Sequence, residues 1–182
     1  DVSNNTALTG LYVHSNDLTA FDVSNNTALT YLYVGSNDLT TFDVSNNTAL
    51  FYLYASYMDL TALDVSNNTA LTTLYCYYNQ LTTLDVSNNT ALTHLYVPGN
   101  DLTALDVSNN TALTTLRCND NQLTYLNMKN GVTDQLTNFE ATNNDSLECI
   151  ETLDPGYATT NWTYENDNID EGVTFAISCG NF

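Results

Sequence analysis

Positive charge is almost missing from this sequence. Among 182 residues only Arg117 and Lys129 are basic, against 21 Asp and Glu, and the formal net charge is −19. Nucleic acid and anionic membrane surfaces are gripped by clustered Lys and Arg, so both are excluded as partners. No run of 18 or more apolar residues is present, so no membrane insertion is expected. No signal peptide opens the chain, which starts on Asp1 rather than Met. It reads as a processed product or an excised fragment. Common catalytic motifs are missing too: there is no G-x-S-x-G, H-E-x-x-H, P-loop or C-x-x-C.

What is present is enough apolar material to fold. Hydrophobic residues make up 43% of the chain and Tyr alone contributes 13, which separates it from acidic disordered chains. The acids are unevenly placed. Every acid before Asn127 is Asp, and all five Glu (Glu140, Glu148, Glu151, Glu165, Glu171) lie after it. This shift marks a boundary between residues 1–126 and 127–182.

Residues 1–126 are a repeat. The string DVSNNTAL recurs six times unchanged, starting at Asp1, Asp22, Asp43, Asp64, Asp85 and Asp106, with a period of 21. A fixed period of this length means a solenoid. One unit, Leu29 to Leu50, reads LTYLYVGSNDLTTFDVSNNTAL and contains two similar arcs, L-x-x-L-x-V-x-x-N and then L-x-x-F-x-V-x-x-N. Within the arcs, Leu32 with Val34 and Phe42 with Val44 have the period-2 spacing of strands. Asn, Asp and Thr between the arcs favour turns. The expected fold is an all-β-rich solenoid, a right-handed coil with two short strand arcs per 21-residue repeat. Six repeats with an uncapped N-terminal end fill 1–126. A degenerate last repeat and a C-terminal cap fill 127–182. Coils stacked about 4.8 Å apart align equivalent residues into ladders, such as Leu11, Leu32, Leu53, Leu74, Leu95 and Leu116. Asn5, Asn26, Asn47, Asn68, Asn89 and Asn110 should turn inward and bond turn backbone otherwise left unpaired.

These residues resemble the leucine-rich repeat family, L-x-x-L-x-L-x-x-N-x-L, and within it the 21-residue bacterial subclass whose second half reads L-x-x-L-D-L-x-x-N. The likeness covers residues 1–147. The tail is similar to the end of secreted leucine-rich repeat proteins of Bacteroidetes and Flavobacteria. That likeness is carried by NMKNG at 127–131, FEATNN at 139–144, LECIE at 147–151, NWT at 161–163 and FAISCG at 175–180. The resemblance implies a non-enzymatic recognition role, extracellular or at the cell surface, and names no ligand.

The four cysteines are of two kinds. Cys76 and Cys118 occupy the inward slot held elsewhere by Val13, Val34, Ala55 and Val97. They stand two coils apart, roughly 10 Å, too far to bridge, and read as small buried apolar residues. Cys149 and Cys179, in the tail, are expected to form a disulfide that staples the cap, which implies an oxidising compartment. Ile150, Tyr157, Trp162, Phe175 and Ile177 are candidates to cover the last coil. At the other end Val2 and Leu8 are expected to be partly bare. Further repeats, a cap or another chain would cover them, and end-to-end self-association would use the same surface.

The repeats act as an internal control. The second arc is invariant even at outward positions such as Asp22 and Ser24, whereas the first arc keeps its inward residues and varies its outward ones. Alternation puts those outward positions on one face of one sheet, the concave surface on which solenoids bind. The candidate ligand-binding residues there are Tyr12, His14, Tyr31, Tyr33, Tyr52, Tyr54, Tyr57, Tyr75, Tyr77, Tyr78, His94, Tyr96 and Arg117. Tyr supplies large amphipathic contact area at small entropic cost. A Tyr ladder that only stabilises the sheet accounts for the straight column Tyr12, Tyr33, Tyr54, Tyr75, Tyr96, but not for the scatter beside it. Coil three is irregular: Phe51 replaces a Thr, Ala55 a Val, and Met58 the ladder Asn. Either this coil is a local weak point, or Tyr57 and Met58 are exposed and belong to the binding surface.

Other arrays carry other readings. The outward ladder Asp1 to Asp106 would attract a cation such as calcium, unless each Asp accepts hydrogen bonds from nearby Ser, Thr or backbone. Asn4-Asn5-Thr6 and its copies fit the N-glycosylation pattern, and Asp145-Ser146-Leu147 resembles a short bacterial O-glycosylation signal. His14 and His94 are four coils apart and cannot share a metal. A straight ladder of Thr19, Thr40, Thr61, Thr82, Thr103 and Thr124 would suit ice binding, or simply turn chemistry. The reading is a non-enzymatic extracellular module that binds protein or glycan on its Tyr-rich face, without cofactor. The alternative is a structural stalk or filament segment.

Overall fold

The first arc of every repeat forms a strand, and the strands stack in order. In the computed structural model, which describes residues 1–180, the strands in chain order are β1 (Gly10–Tyr12), β2 (Tyr31–Tyr33), β3 (Tyr52–Tyr54), β4 (Thr73–Tyr75), β5 (His94–Tyr96), β6 (Ala104–Asp106), β7 (Thr115–Arg117), β8 (Tyr125–Met128), β9 (Asn138–Glu140), β10 (Cys149–Thr152) and β11 (Thr174–Ala176). One short helix, α1 (Pro155–Asn161), precedes β11. Strands β1, β2, β3, β4, β5, β7 and β9 make a seven-stranded parallel sheet, and β6, β8, β10 and β11 a four-stranded one. Together they form a parallel β-solenoid. Leu32 pairs with Leu53, Leu53 with Leu74 and Leu74 with Leu95, so each step is one repeat.

The core is the space enclosed by the coil. Leu32, Leu53, Leu74, Leu95 and Leu116 are fully buried, as are Val44, Val65, Val86 and Val107. In the first coil Leu11 and Val13 are only partly buried. Cys76 and Cys118 are free and buried, and burial pushes both thiols up to about 12, which keeps them protonated and inert.

The second arc is built differently from the first. No strand ladder joins second arcs before β6. Tight turns close there instead, with Asn47 N–H bonding Val44 O at 2.9 Å and Leu50 N–H bonding Asn47 O at 3.0 Å. Side-chain amides tie one coil to the next. Asn47 Nδ2 donates to Val23 O at 3.0 Å and Asn26 O at 2.9 Å, and Asn68, Asn89 and Asn110 repeat the pattern. These amides replace the backbone ladder that strands would supply.

After β7 the even register ends. Thr115 pairs with Asn138 rather than with a residue 21 positions on, and Ile150 pairs with both Leu126 and Phe175. The solenoid thus runs past residue 147, where sequence likeness stops, because β10 and β11 each add a rung. Asp154 caps α1 by accepting the Tyr157 N–H at 2.9 Å, with Pro155 following it. Trp162 packs on Phe139 at 4.5 Å and on Phe175 at 5.8 Å between ring centroids. Cys149 and Cys179 are disulfide-bonded, with Cα atoms 5.8 Å apart. Ile177 does not join this cover: it is 62% exposed, and Ile169 is buried in the tail instead.

Candidate functional site

The outward positions of the seven-stranded sheet form one continuous aromatic surface. Tyr12 stacks on Tyr33 with centroids 4.6 Å apart, Tyr33 on Tyr52 at 4.7 Å, and Tyr75 on Tyr96 at 4.4 Å. Tyr52 meets Tyr75 at 5.6 Å, and Tyr54 meets Tyr77 edge-on at 5.9 Å. His14 lies against Tyr33, and His94 against Tyr96. Tyr31, Tyr57 and Tyr78 complete the network through Tyr52 and Tyr77. Every aromatic residue expected on the face is therefore in one connected set.

The expected straight column is bent in practice. Tyr33 stacks more closely on Tyr52 than on Tyr54, which lies at 6.0 Å. A Tyr ring reaches beyond the rung spacing, so diagonal neighbours compete with direct ones. Gly35 makes room for this: a Cβ there would sit 2.4 Å from Tyr54 Cε1 and 2.5 Å from Ser56 O. Phe51, which period counting leaves off the face, joins it against Tyr31 at 5.8 Å. Its signal was the departure from Thr at that position.

Crowding changes the phenols. Burial among their neighbours pushes Tyr52, Tyr75 and Tyr77 above the ordinary tyrosine value, so they stay neutral far into alkali. Tyr77 Oη donates to Tyr54 Oη at 3.3 Å.

Arg117 stands apart from the rings. It pairs with Glu140 of the next rung, and its Nε is buried without a partner. Lys129 is likewise paired, with Glu151, whose carboxyl is held low by that contact and also accepts the Cys179 N–H at 3.1 Å.

Coil three divides. Tyr57 is half-exposed on the face, but Met58 is buried at 5% exposure and belongs to the interior. Of the two readings of coil three, the one that exposes both residues is corrected for Met58. Its slot is buried in coils two to six, and the chain turns there through the left-handed residue before it.

The outward Asp ladder has its own partners. Asp22 Oδ1 accepts the Ser24 N–H at 2.8 Å, and Asp43, Asp64, Asp85 and Asp106 do the same with their serines. Backbone bonds from Ser24 and Ser45 hold Asp22 and Asp43 below the usual carboxylate range; for Asp64 and Asp85 the serine hydroxyls lead. Among the described residues no group of three or more His, Cys, Asp or Glu is placed to hold a metal. Nor is any helix among them long and apolar enough to cross a membrane.

Comparison with known proteins places this architecture. The model of a family described as LVIVD repeat matches residues 30–59 and 93–119. No curated protein matches the chain in a sequence search. Among solved structures, the functional domain of InlJ from Listeria monocytogenes is 35% identical with a TM-score of 0.62. The match covers 84% of this chain and 40% of InlJ. A leucine-rich repeat protein of Leptospira interrogans is 24% identical with a TM-score of 0.71, over 83% of this chain and 44% of that one. The ectodomain of the Arabidopsis thaliana receptor kinase GASSHO1/SCHENGEN3, solved with Casparian strip integrity factor 2, is 19% identical with a TM-score of 0.74, over 96% of this chain and 22% of its own. This chain therefore spans less than half the length of each. The InlJ domain is described as including a cysteine ladder; in this chain one inward slot holds Cys76 and Cys118, with Val97 between them. By fold, the chain is a leucine-rich repeat solenoid.

Proposed function

We propose that this chain is a recognition module, extracellular or displayed at a cell surface, that binds a protein partner on its Tyr-rich face and has no chemistry of its own. One observation carries the reading. The twelve aromatic residues expected there, scattered over coils one to five, join with Phe51 into a single surface on the seven-stranded sheet. Tyr-rich surfaces give large contact area at low entropic cost.

The ring geometry favours protein over glycan. Sugars stack on free ring faces. Here the closest pairs, Tyr12–Tyr33, Tyr33–Tyr52 and Tyr75–Tyr96, cover each other at interplanar angles of 12 to 21°. They present edges and hydroxyls, which suit peptide groups and side chains. The Cys149–Cys179 disulfide supports an oxidising, extracytoplasmic setting. The resemblance of the tail to the end of secreted leucine-rich repeat proteins of Bacteroidetes and Flavobacteria supports the same location.

A screen of host surface proteins, run beside a glycan array, tests this reading. The triple variant Tyr33→Ala, Tyr54→Ala, Tyr75→Ala is the control, with its fold checked by circular dichroism. A protein ligand lost by at least tenfold in the variant supports the reading. A ligand held equally by both proteins, or found only on the glycan array, overturns it.

A further inference from the structure

One stacked pair of the face ends on a half-exposed ring. Tyr57 and Tyr78 stack 5.0 Å apart at 18°, and Tyr77 abuts Tyr57 edge-on at 5.1 Å. Behind Tyr78 the Gly99 main chain closes the stack: a Cβ at Gly99 would lie 2.5 Å from Tyr78 Cδ1. In the preceding coil the positions equivalent to Ser56 and Tyr57 are Gly35 and Ser36, neither of which carries a ring, and Tyr57 is 50% exposed. Tyr57 and Tyr78 both have positive φ, 54° and 52°, a conformation bulky residues rarely adopt. The same slot holds Ser15, Ser36, Gly99 and Asp120 in other coils, so the fold itself does not call for aromatics there.

The charge around this open ring has one sign. Two residues beyond the slot, Asp38 and Asp59 are exposed on consecutive rungs. Gln80 Nε2 donates to Asp59 Oδ1 at 3.1 Å, while the rung neighbours of Asp38 are Asp17 and Asp59, both acids. The chain's two basic side chains are committed elsewhere, to Glu140 and Glu151.

We infer that Tyr57, with Asp38 and Asp59, seats an Arg or Lys side chain of the protein partner. The inference rests on the recognition reading above. The alkyl stem and cation lie over the free face of Tyr57, whose ring quadrupole attracts positive charge. The head group reaches toward the two carboxylates, with which an Arg fork can bond. A neutral or acidic side chain gains neither contact, so the seat selects for a basic position in the partner.

Titration with acetyl-triarginine amide, at physiological salt to suppress diffuse attraction, tests the seat. The neutral isostere acetyl-tricitrulline amide is the control, and backbone amide spectra report the site. Triarginine is expected to shift the amides of Ser36, Tyr57, Asp59 and Tyr78, and tricitrulline to leave them in place. Tyr57→Ser, which installs the residue other coils use, and Asp38→Asn with Asp59→Asn should each weaken triarginine by roughly three- to thirtyfold. No binding, equal binding of both peptides, or triarginine shifts spread along Asp22 to Asp85 and unchanged in Tyr57→Ser would each overturn it. A partner whose binding needs Tyr33, Tyr54 and Tyr75 but is indifferent to Tyr57→Ser sinks the seat alone and leaves the recognition reading standing.

Discussion

The Asn column behind the tyrosine face makes a quantitative prediction, because Met58 interrupts it. In an intact coil the amide works at both ends. Asn100 Nδ2 donates to Cys76 O and Val97 O, each at 3.1 Å, and its Oδ1 accepts the Leu81 N–H at 3.1 Å. Asn79 donates to Ala55 O at 2.9 Å and Cys76 O at 3.0 Å, and accepts from Leu60 N–H at 3.3 Å. Most carbonyls in the column are reached by two amides: Cys76 O by Asn79 and Asn100, Val97 O by Asn100 and Asn121. Ala55 O is reached by Asn79 alone, since the second donor would come from position 58, where Met stands.

Replacing Asn100 with Leu therefore orphans one buried group, the Leu81 N–H, while both carbonyls keep a donor. Replacing Asn79 with Leu orphans two, the Leu60 N–H and Ala55 O. An unsatisfied buried polar group costs about 1–3 kcal/mol, and the apolar gain from the new Leu is common to both variants. Asn79→Leu should thus be less stable than Asn100→Leu by about 1–3 kcal/mol. Met58→Asn restores the second donor to Ala55 O, so in that background the Asn79→Leu penalty should fall by a similar amount. Urea unfolding followed by far-ultraviolet circular dichroism measures all four differences. Equal penalties for the two Leu variants, or no coupling with Met58→Asn, would refute the account of shared carbonyls.

Three further outcomes are expected. Reducing the Cys149–Cys179 bond, or replacing both cysteines with Ser, opens a loop of 30 residues and should destabilise by about 3–4 kcal/mol on chain-entropy grounds, read as a drop in Tm that reductant no longer adds to in the double variant. Stability should fall as pH drops below about 4: the Asp22, Asp43, Asp64 and Asp85 carboxyls titrate lower when folded. The unfolded chain binds protons first there, and the contribution is lost as pH passes through the folded values. Urea midpoints across pH 2–7 check the sign. Gly35→Ala would drive a methyl into Tyr54 and the Ser56 carbonyl, costing about 1–3 kcal/mol as an overpacked site; a crystal structure should show the Tyr54 ring displaced.

How much of this was legible follows from which physics each feature depends on. The inward Leu and Val ladders and the placement of the tyrosines depend only on period and alternation, and both are written in the sequence. The second arc's spacing also reads as a strand, yet its coils are joined by Asn amides before β6. Turns at Asn47 and its equivalents withdraw the backbone groups a ladder needs, and alternation carries no record of that. The difference of Met58 from the ladder Asn leaves a weak point and exposure both open in the sequence, whereas the turn keeps the slot buried whatever fills it. Ring-on-ring partners such as Tyr33 and Tyr52 depend on rotamers and on the space Gly35 leaves. Ile177 was misread because the irregular tail has no period to place it.

The same division explains why the variable arc varies. In the second arc outward residues carry structural bonds: Asp22 anchors the Ser24 N–H, and Asn46 Nδ2 donates to Ser24 O at 3.4 Å. Substitution there breaks bonds that each coil repeats, so drift is purged. On the first arc the fold asks only for the inward Leu and Val, and the backbone ladder satisfies every strand residue whatever its outward side chain. A surface free of structural duty would accumulate small polar residues at no cost to stability. Instead it carries large, part-desolvated phenols, two of them in backbone conformations that a Ser or Gly would hold more easily. The inward ladder does not call for rings at Tyr57 and Tyr78, whose slot holds Ser, Gly or Asp in other coils. On the recognition reading proposed above the reason is a partner, and exchanging Tyr57 for Ser should then cost binding while leaving the solenoid intact.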